Sequence, residues 1–118
     1  METVEQLLIE AANAAERFWF IRTWQVTDRT NSTATVRFEI DTDFFVQVFL
    51  SERSDRLSLA LIGASGRLYG RDRERGRWHR HPFGSQEIHE TTSEGMSSHP
   101  VIQFMTEVED ILFSNNLL

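Results

Sequence analysis

Ala34-Thr35-Val36-Arg37-Phe38-Glu39-Ile40, followed after Asp41-Thr42-Asp43 by Phe44-Phe45-Val46-Gln47-Val48-Phe49-Leu50, is the stretch that decides the fold. In its first half Ala34, Val36, Phe38 and Ile40 alternate with Thr35, Arg37 and Glu39. Period two is the signature of a strand with one face in a core. The second half is apolar at nearly every position, which predicts a central strand covered on much of both faces. The Asp-Thr-Asp turn between them is short enough to force antiparallel pairing.

The same pattern continues downstream. Ser51 to Arg56 is polar, and Leu57 to Ile62 returns to alternation, with Leu57, Leu59 and Leu61 on one face. Gly63-Ala64-Ser65-Gly66 reads as a turn, Arg67 to Asp72 as a strand, and Arg73 to Gly76 as a charged turn whose glycine can take a left-handed conformation. Arg77 to His81 is a short strand stopped by Pro82. Trp24 to Asp28 is a candidate for an additional first strand.

Helices are expected at both ends. Over residues 4–23, Val4, Leu7, Leu8, Ala11, Ala15, Phe18, Trp19 and Arg22 follow helical spacing. Thr3 and Gln6 fit a capping box. Phe18, Trp19 and Phe20 are expected to pack in the core. Residues 83–98 are polar and read as a loop. His99-Pro100 opens a second helix, with proline at its first position. Val101, Met105, Val108 and Leu112 form its buried stripe, and Asn115-Asn116 ends it. The expected fold is therefore α+β in a single domain, residues 1–118. An N-terminal helix, a four- to five-stranded antiparallel β-meander and a C-terminal helix follow in order, both helices packing on one sheet face. The other face would show Arg37, Glu39, Gln47, Ser58 and Phe45 or Phe49, a surface suited to a partner or to homodimerisation.

Composition narrows the chemistry. Forty per cent of the 118 residues are hydrophobic and 25% are charged, as in an ordinary globular domain. The chain has no cysteine, which excludes disulfides, thiolate zinc sites and a cysteine nucleophile. No apolar run approaches a membrane span, and Glu2 and Glu5 do not suit a secretory leader. A cytoplasmic protein with no membrane contact is expected. The net charge is −6, yet all 12 basic residues are arginine and six lie between Arg67 and Arg80. With only Asp72 and Glu74 opposing them, that stretch carries +4 and the rest of the chain −10. A basic island on an acidic body can meet phosphate locally while the body repels non-specific nucleic acid. The alternative is a solvated hairpin of paired charges.

Inside the island, Trp78-His79-Arg80-His81-Pro82 stands out. On a strand, Arg77, His79 and His81 share one face at steps of about 6–7 Å. Trp78 and Arg80 take the opposite face, with Trp78 toward the core. Two imidazoles beside guanidinium groups suit metal-free phosphodiester cleavage. One acts as base on a ribose 2′-hydroxyl, another as acid on the leaving oxygen, and an arginine meets the developing charge. A metal site on the His-x-His pair, completed by His89, Asp72 or Glu90, ranks below this because no stronger zinc spacing is present. No cofactor motif is found. Tyr69 either projects toward the site or packs in the core, and Asp72 either orients a histidine or balances the arginines. His89-Glu90 would bring a third imidazole if its loop folded over His79 and His81. The expected catalytic residues are His79, His81 and Asp72. Tyr69, Arg71, Arg75, Arg77, Arg80 and His89 are expected to bind substrate.

The run Leu68-Tyr69-Gly70-Arg71-Asp72, then Trp78-His79-Arg80-His81-Pro82, then His89-Glu90 and a closing helix, resembles the TumE-like proteins over residues 30–113. These are small prokaryotic toxin components encoded beside an antitoxin. The chain departs from the family pattern at Arg73, where an asparagine is usual. The resemblance implies a toxin with an antitoxin partner, and carries over Asp72, His79 and His81 as site residues. Together these readings predict a toxin–antitoxin component acting on RNA. The rival is a non-enzymatic interaction or homodimerisation module built on the open sheet face.

Overall fold

The computed structural model describes residues 3–85, 90–91 and 98–118. Helix α1 (Val4–Arg17) leads into six antiparallel strands in sequence order. They are β1 (Thr23–Arg29), β2 (Thr33–Glu39), β3 (Phe45–Ser51), β4 (Arg56–Gly63), β5 (Gly66–Glu74) and β6 (Arg77–His81). A two-residue seventh strand, β7 (Glu90–Thr91), pairs with β6, and helix α2 (Pro100–Ser114) closes the chain. The α+β meander with flanking helices is as expected. Its sheet is larger than the four or five strands expected, because Thr23–Arg29 pairs along β2, with a register shift between Val26 and Asp28, and Glu90–Thr91 extends the far edge.

The period-two residues face one way. Val36, Phe38, Val46, Val48, Leu57, Leu59 and Leu61 are fully buried, and both helices press on that face. Val4, Leu7, Ala11 and Ala14 of α1 and Val101, Phe104, Met105, Val108 and Leu112 of α2 complete the core. Each buried leucine contributes about 1.5–3 kcal/mol relative to exposure.

Helix α1 stops at Arg17, short of the expected residue 23. Phe18 is already extended (φ −100°, ψ 111°). Phe18, Phe20 and Ile21 are buried as the chain drops onto the sheet, where the Arg22 amide donates to the Glu39 carbonyl. The apolar residues that prolonged the helical pattern belong to this descent. Trp19 departs from its expected burial and is 68% exposed.

Carboxylates from elsewhere satisfy the helix starts. The Thr3–Gln6 capping box forms, and the Val4 amide donates to Glu52 Oε2 at 2.9 Å. Helix α2 has no acidic residue in its first turn and no side-chain cap from His99. Glu10 of α1 takes that place, accepting from the Ile102 amide at 2.9 Å. Burial pushes the Glu10 carboxyl up, against the lowering effect of the amides it accepts.

Candidate functional site

The β5–β6 hairpin turns at Arg75-Gly76, both with positive φ (52° and 78°). Two left-handed residues make the tight hairpin whose twist matches its strands. The register pairs Asp72 with His79, Arg71 with Arg80, Gly70 with His81 and Arg73 with Trp78. Paired residues share a face, so the hairpin is two-sided. Arg71 and Tyr69 oppose Leu59 and Leu61 on β4 and therefore point toward the helices, with Arg80 and Trp78. Asp72, His79 and His81 point to the open side. Trp78 packs against the core, as its expected orientation requires.

On the open face, Asp72 and His81 form one linked group with Arg67. The register slips by one between Leu61 and Ile62, which brings Arg67 opposite Ile62 on the open side. Arg67 then runs over Gly70, where an added Cβ would lie 3.2 Å from the arginine Cδ. Arg67 Nη2 lies 3.1 Å from His81 Nδ1, and His81 Nε2 lies 3.1 Å from Asp72 Oδ2. A guanidinium only donates, so Nδ1 must accept. The ring proton then sits on Nε2 and is donated to Asp72. The His81 side chain is only 4% exposed. His79 is half-buried, and lines a concavity of about 620 Å³ with Glu74, Arg75 and Arg77.

On the helix face, Glu107 of α2 gathers the other residues. Tyr69 donates its hydroxyl to Glu107 Oε1 at 2.5 Å. Arg71 donates Nε to Oε1 at 2.8 Å and Nη2 to Oε2 at 3.0 Å. This bidentate clamp is mostly buried, with the Arg71 side chain 10% exposed. Burial pulls the Arg71 guanidinium down, but the Glu107 hydrogen bonds and charge outweigh it and the net shift is upward. Burial and the Glu107 carboxylate push the Tyr69 phenol up to about 12. The Tyr69 ring stacks on Phe104 at 5.5 Å. Arg80 forms an ion pair with Glu90. That hydrogen bond, with the Glu90 charge, raises Arg80 against a smaller desolvation effect.

The sheet thus divides the expected constellation. It brings Asp72, His79 and His81 together on one side, with Arg75 and Arg77 beside His79. It sends Tyr69, Arg71 and Arg80 to the other side, where carboxylates bind them. His89 falls outside the described residues. Among the described residues no group of three or more histidine, aspartate or glutamate side chains is arranged to hold a metal ion. Arg67 and Glu107 are the residues that the sequence pattern did not flag. Gly70 opposite a histidine was the available signal for the first, since a missing side chain leaves a slot. Glu107 had no local signal.

No family model matches this chain, and the searches of curated proteins and of solved structures found no match either. Among the described residues no helix is long and apolar enough to cross a membrane.

Proposed function

We propose that this chain is the toxin component of a toxin–antitoxin pair and acts on RNA through the open face of the β5–β6 hairpin. The observation that carries the reading is the Arg67–His81–Asp72 bridge beside His79. It is a charged, hydrogen-bonded wall next to the half-buried His79, which lines the concavity. Arg75 and Arg77 flank that imidazole and suit a phosphodiester backbone.

In this reading His79 is the catalytic base. It takes the proton of a ribose 2′-hydroxyl, whose oxygen attacks the neighbouring phosphorus. The bond to the 5′ oxygen breaks, leaving a 2′,3′-cyclic phosphate, and the leaving oxygen takes a proton from water. Arg75 and Arg77 meet the charge that builds on the phosphoryl oxygens. His81 has both nitrogens engaged and acts as a positioning residue for Asp72 and Arg67. Tyr69, Arg71 and Arg80 have no contact with the substrate. Tyr69 and Arg71 fix the hairpin to α2 through Glu107, and Arg80 ties β6 to β7 through Glu90.

The test is inducible expression in a bacterial host beside a His79→Ala variant, followed by incubation of purified protein with end-labelled single-stranded RNA. Growth arrest and cyclic-phosphate products from the natural chain alone are expected. A folded His79→Ala protein that cleaves as well as the natural chain would refute the catalytic assignment.

A second reading draws on the other half of the same face. Phe45 and Phe49 of β3 and Ile62 of β4 are half-buried there, and Arg37 lies 3.6 Å from the Phe45 ring centroid while pairing with Glu39. A surface carrying apolar groups with one cation and one anion can complement a second copy of itself. Sedimentation at several concentrations decides: a strictly monomeric chain removes homodimerisation.

A further inference from the structure

Among the described residues away from the hairpin, the largest exposed apolar groups lie on the helix layer. Trp19 is 68% exposed and Phe113 55% exposed, and their rings meet at 5.9 Å. Trp19 follows the end of α1, and Phe113 lies in the last turn of α2. On α2, Thr106, Glu109, Asp110 and Phe113 recur at helical spacing along the outer side. Exposed aromatic pairs cost solubility and commonly mark a contact surface.

The charge of this surface selects the partner. Helix α2 carries Glu107, Glu109 and Asp110 and no basic residue, and nothing basic stands in its last turn. The partial negative charge of its C-terminus therefore has no basic side chain in its own last turn, where Phe113 lies. Beside α2, a cleft of about 350 Å³ is lined by Asp110, Ile111, Pro82 and Phe83. Its arginines are already engaged, Arg71 by Glu107 and Arg80 by Glu90. A carboxylate next to an aromatic ring there suits an incoming guanidinium or ammonium group.

We infer that the outer face of α2, from the Asp110 cleft to the Trp19–Phe113 pair, is a docking surface for a basic amphipathic segment of another protein. Apolar side chains of that segment cover Trp19 and Phe113. Its lysines and arginines meet Glu109, Asp110 and the C-terminal end of the helix. The inference rests on the toxin–antitoxin reading for the partner's role as antitoxin, and the surface lies on the opposite side of the sheet from His79. A bound partner there leaves the hairpin's open face uncovered, so neutralisation works by holding the toxin rather than by plugging its site.

The probe is a leucine–lysine amphipathic peptide, with a leucine–glutamate peptide of the same pattern as control. Binding is read by calorimetry and by the indole resonance of Trp19. The lysine peptide is expected to bind, weakening with salt, and the glutamate peptide to show no heat. Trp19→Ser/Phe113→Ser and, separately, Glu109→Arg/Asp110→Arg should each weaken binding at least about tenfold. Both pairs lie at the surface, so urea unfolding should remain cooperative. Equal binding by both peptides, or unchanged affinity in either variant, overturns the inference. So does a concentration-dependent dimer that Trp19→Ser/Phe113→Ser abolishes, because the occupant is then a second copy. His79→Ala should bind the peptide normally, and Trp19→Ser/Phe113→Ser should cleave RNA normally. Loss of either function therefore leaves the other standing.

Discussion

The two faces of the β5–β6 hairpin use the same kinds of residue for different ends. Toward the helices, Tyr69 and Arg71 converge on one carboxylate, Glu107, in a largely buried network. Toward solvent, Arg67, His81 and Asp72 form a chain with an imidazole in the middle, and His79 stands beside it above a concavity. On the inner face the Tyr69 and Arg71 hydrogen bonds to Glu107 hold α2 to the sheet, and the Arg80 bond to Glu90 holds β7 to β6. On the outer face the Arg67–His81–Asp72 bonds join residues of the hairpin to one another. Alternation alone would put Arg67 on the same face as Tyr69 and Arg71, and only the register slip between Leu61 and Ile62 separates them.

The largest effect is expected from breaking the inner network. Glu107→Ala leaves the Arg71 guanidinium buried without its anion, and should cost about 3 kcal/mol or more. Urea unfolding would show the loss as a lower midpoint. Glu107→Gln keeps acceptor and donor shape and should lose less. A Glu107→Ala protein as stable as the natural chain would mean that the network is incidental.

The comparison also shows what could be read in advance. The strand faces followed from period-two alternation, because each register position is fixed by which side chains must leave water. Trp78 and His79 were correctly placed on opposite sides for that reason. The slip between Leu61 and Ile62 was not legible. Simple alternation from Tyr69 would put Arg67 on the helix face, and the slip returns it to the open face. Glu107 lies 38 residues from Tyr69 and 36 from Arg71, and its pairing depends on how α2 crosses the sheet. Helical spacing reports which side of α2 is buried but carries no information about which strand residue meets its rim. The overrun of α1 has the same origin: Phe18 is buried by tertiary contact beyond the helix end, and one-dimensional periodicity credits it to the helix.

The inner face has its own spectroscopic reporter, since Tyr69 is the only tyrosine. In the folded protein its phenol should ionise near about 12, and in urea near its ordinary value of 10.0. The folded state therefore holds this proton more tightly than the unfolded state. The stability from the protonated phenol is present below pH 10 and is lost as pH rises from there toward 12, a change of order 2–3 kcal/mol. Ultraviolet absorbance of phenolate, followed against pH, measures both values. Glu107→Gln removes the charge that opposes ionisation and should bring the midpoint down. An unchanged midpoint would assign the shift to burial alone.

The outer face should prove softer. His81→Ala removes the link between Arg67 and Asp72, both of which can turn to water, and a cost of about 1–2 kcal/mol is expected. Gly70→Ala should act in the same direction by displacing Arg67, because its Cβ would lie 3.2 Å from both the arginine Cδ and the Leu59 carbonyl oxygen. If His81 only holds its neighbours, cleavage by His81→Ala should fall without moving the pH profile. A shifted acid limb would instead make His81 a proton-transfer group. Parallel urea curves for His81→Ala and Gly70→Ala sharpen the contrast with Glu107→Ala.

The smallest change in stability is expected from His79→Ala, and it separates the two faces most cleanly. His79 is half-buried, lies across the ladder from Asp72 and next to Thr91 of β7, and borders the concavity lined by Glu74, Arg75 and Arg77. Truncating a half-exposed strand residue normally shifts stability by no more than about 0.5 kcal/mol. The same substitution should abolish RNA cleavage if His79 is the base, since the other described imidazole on that face is almost fully buried and bridges Arg67 and Asp72. His81 spends Nδ1 on Arg67 and Nε2 on Asp72. A protein that keeps its unfolding midpoint and loses its activity would show that the outer face is built for chemistry. If midpoint and activity both survive, the open face is a binding surface, and the homodimer reading built on Phe45 and Phe49 takes its place.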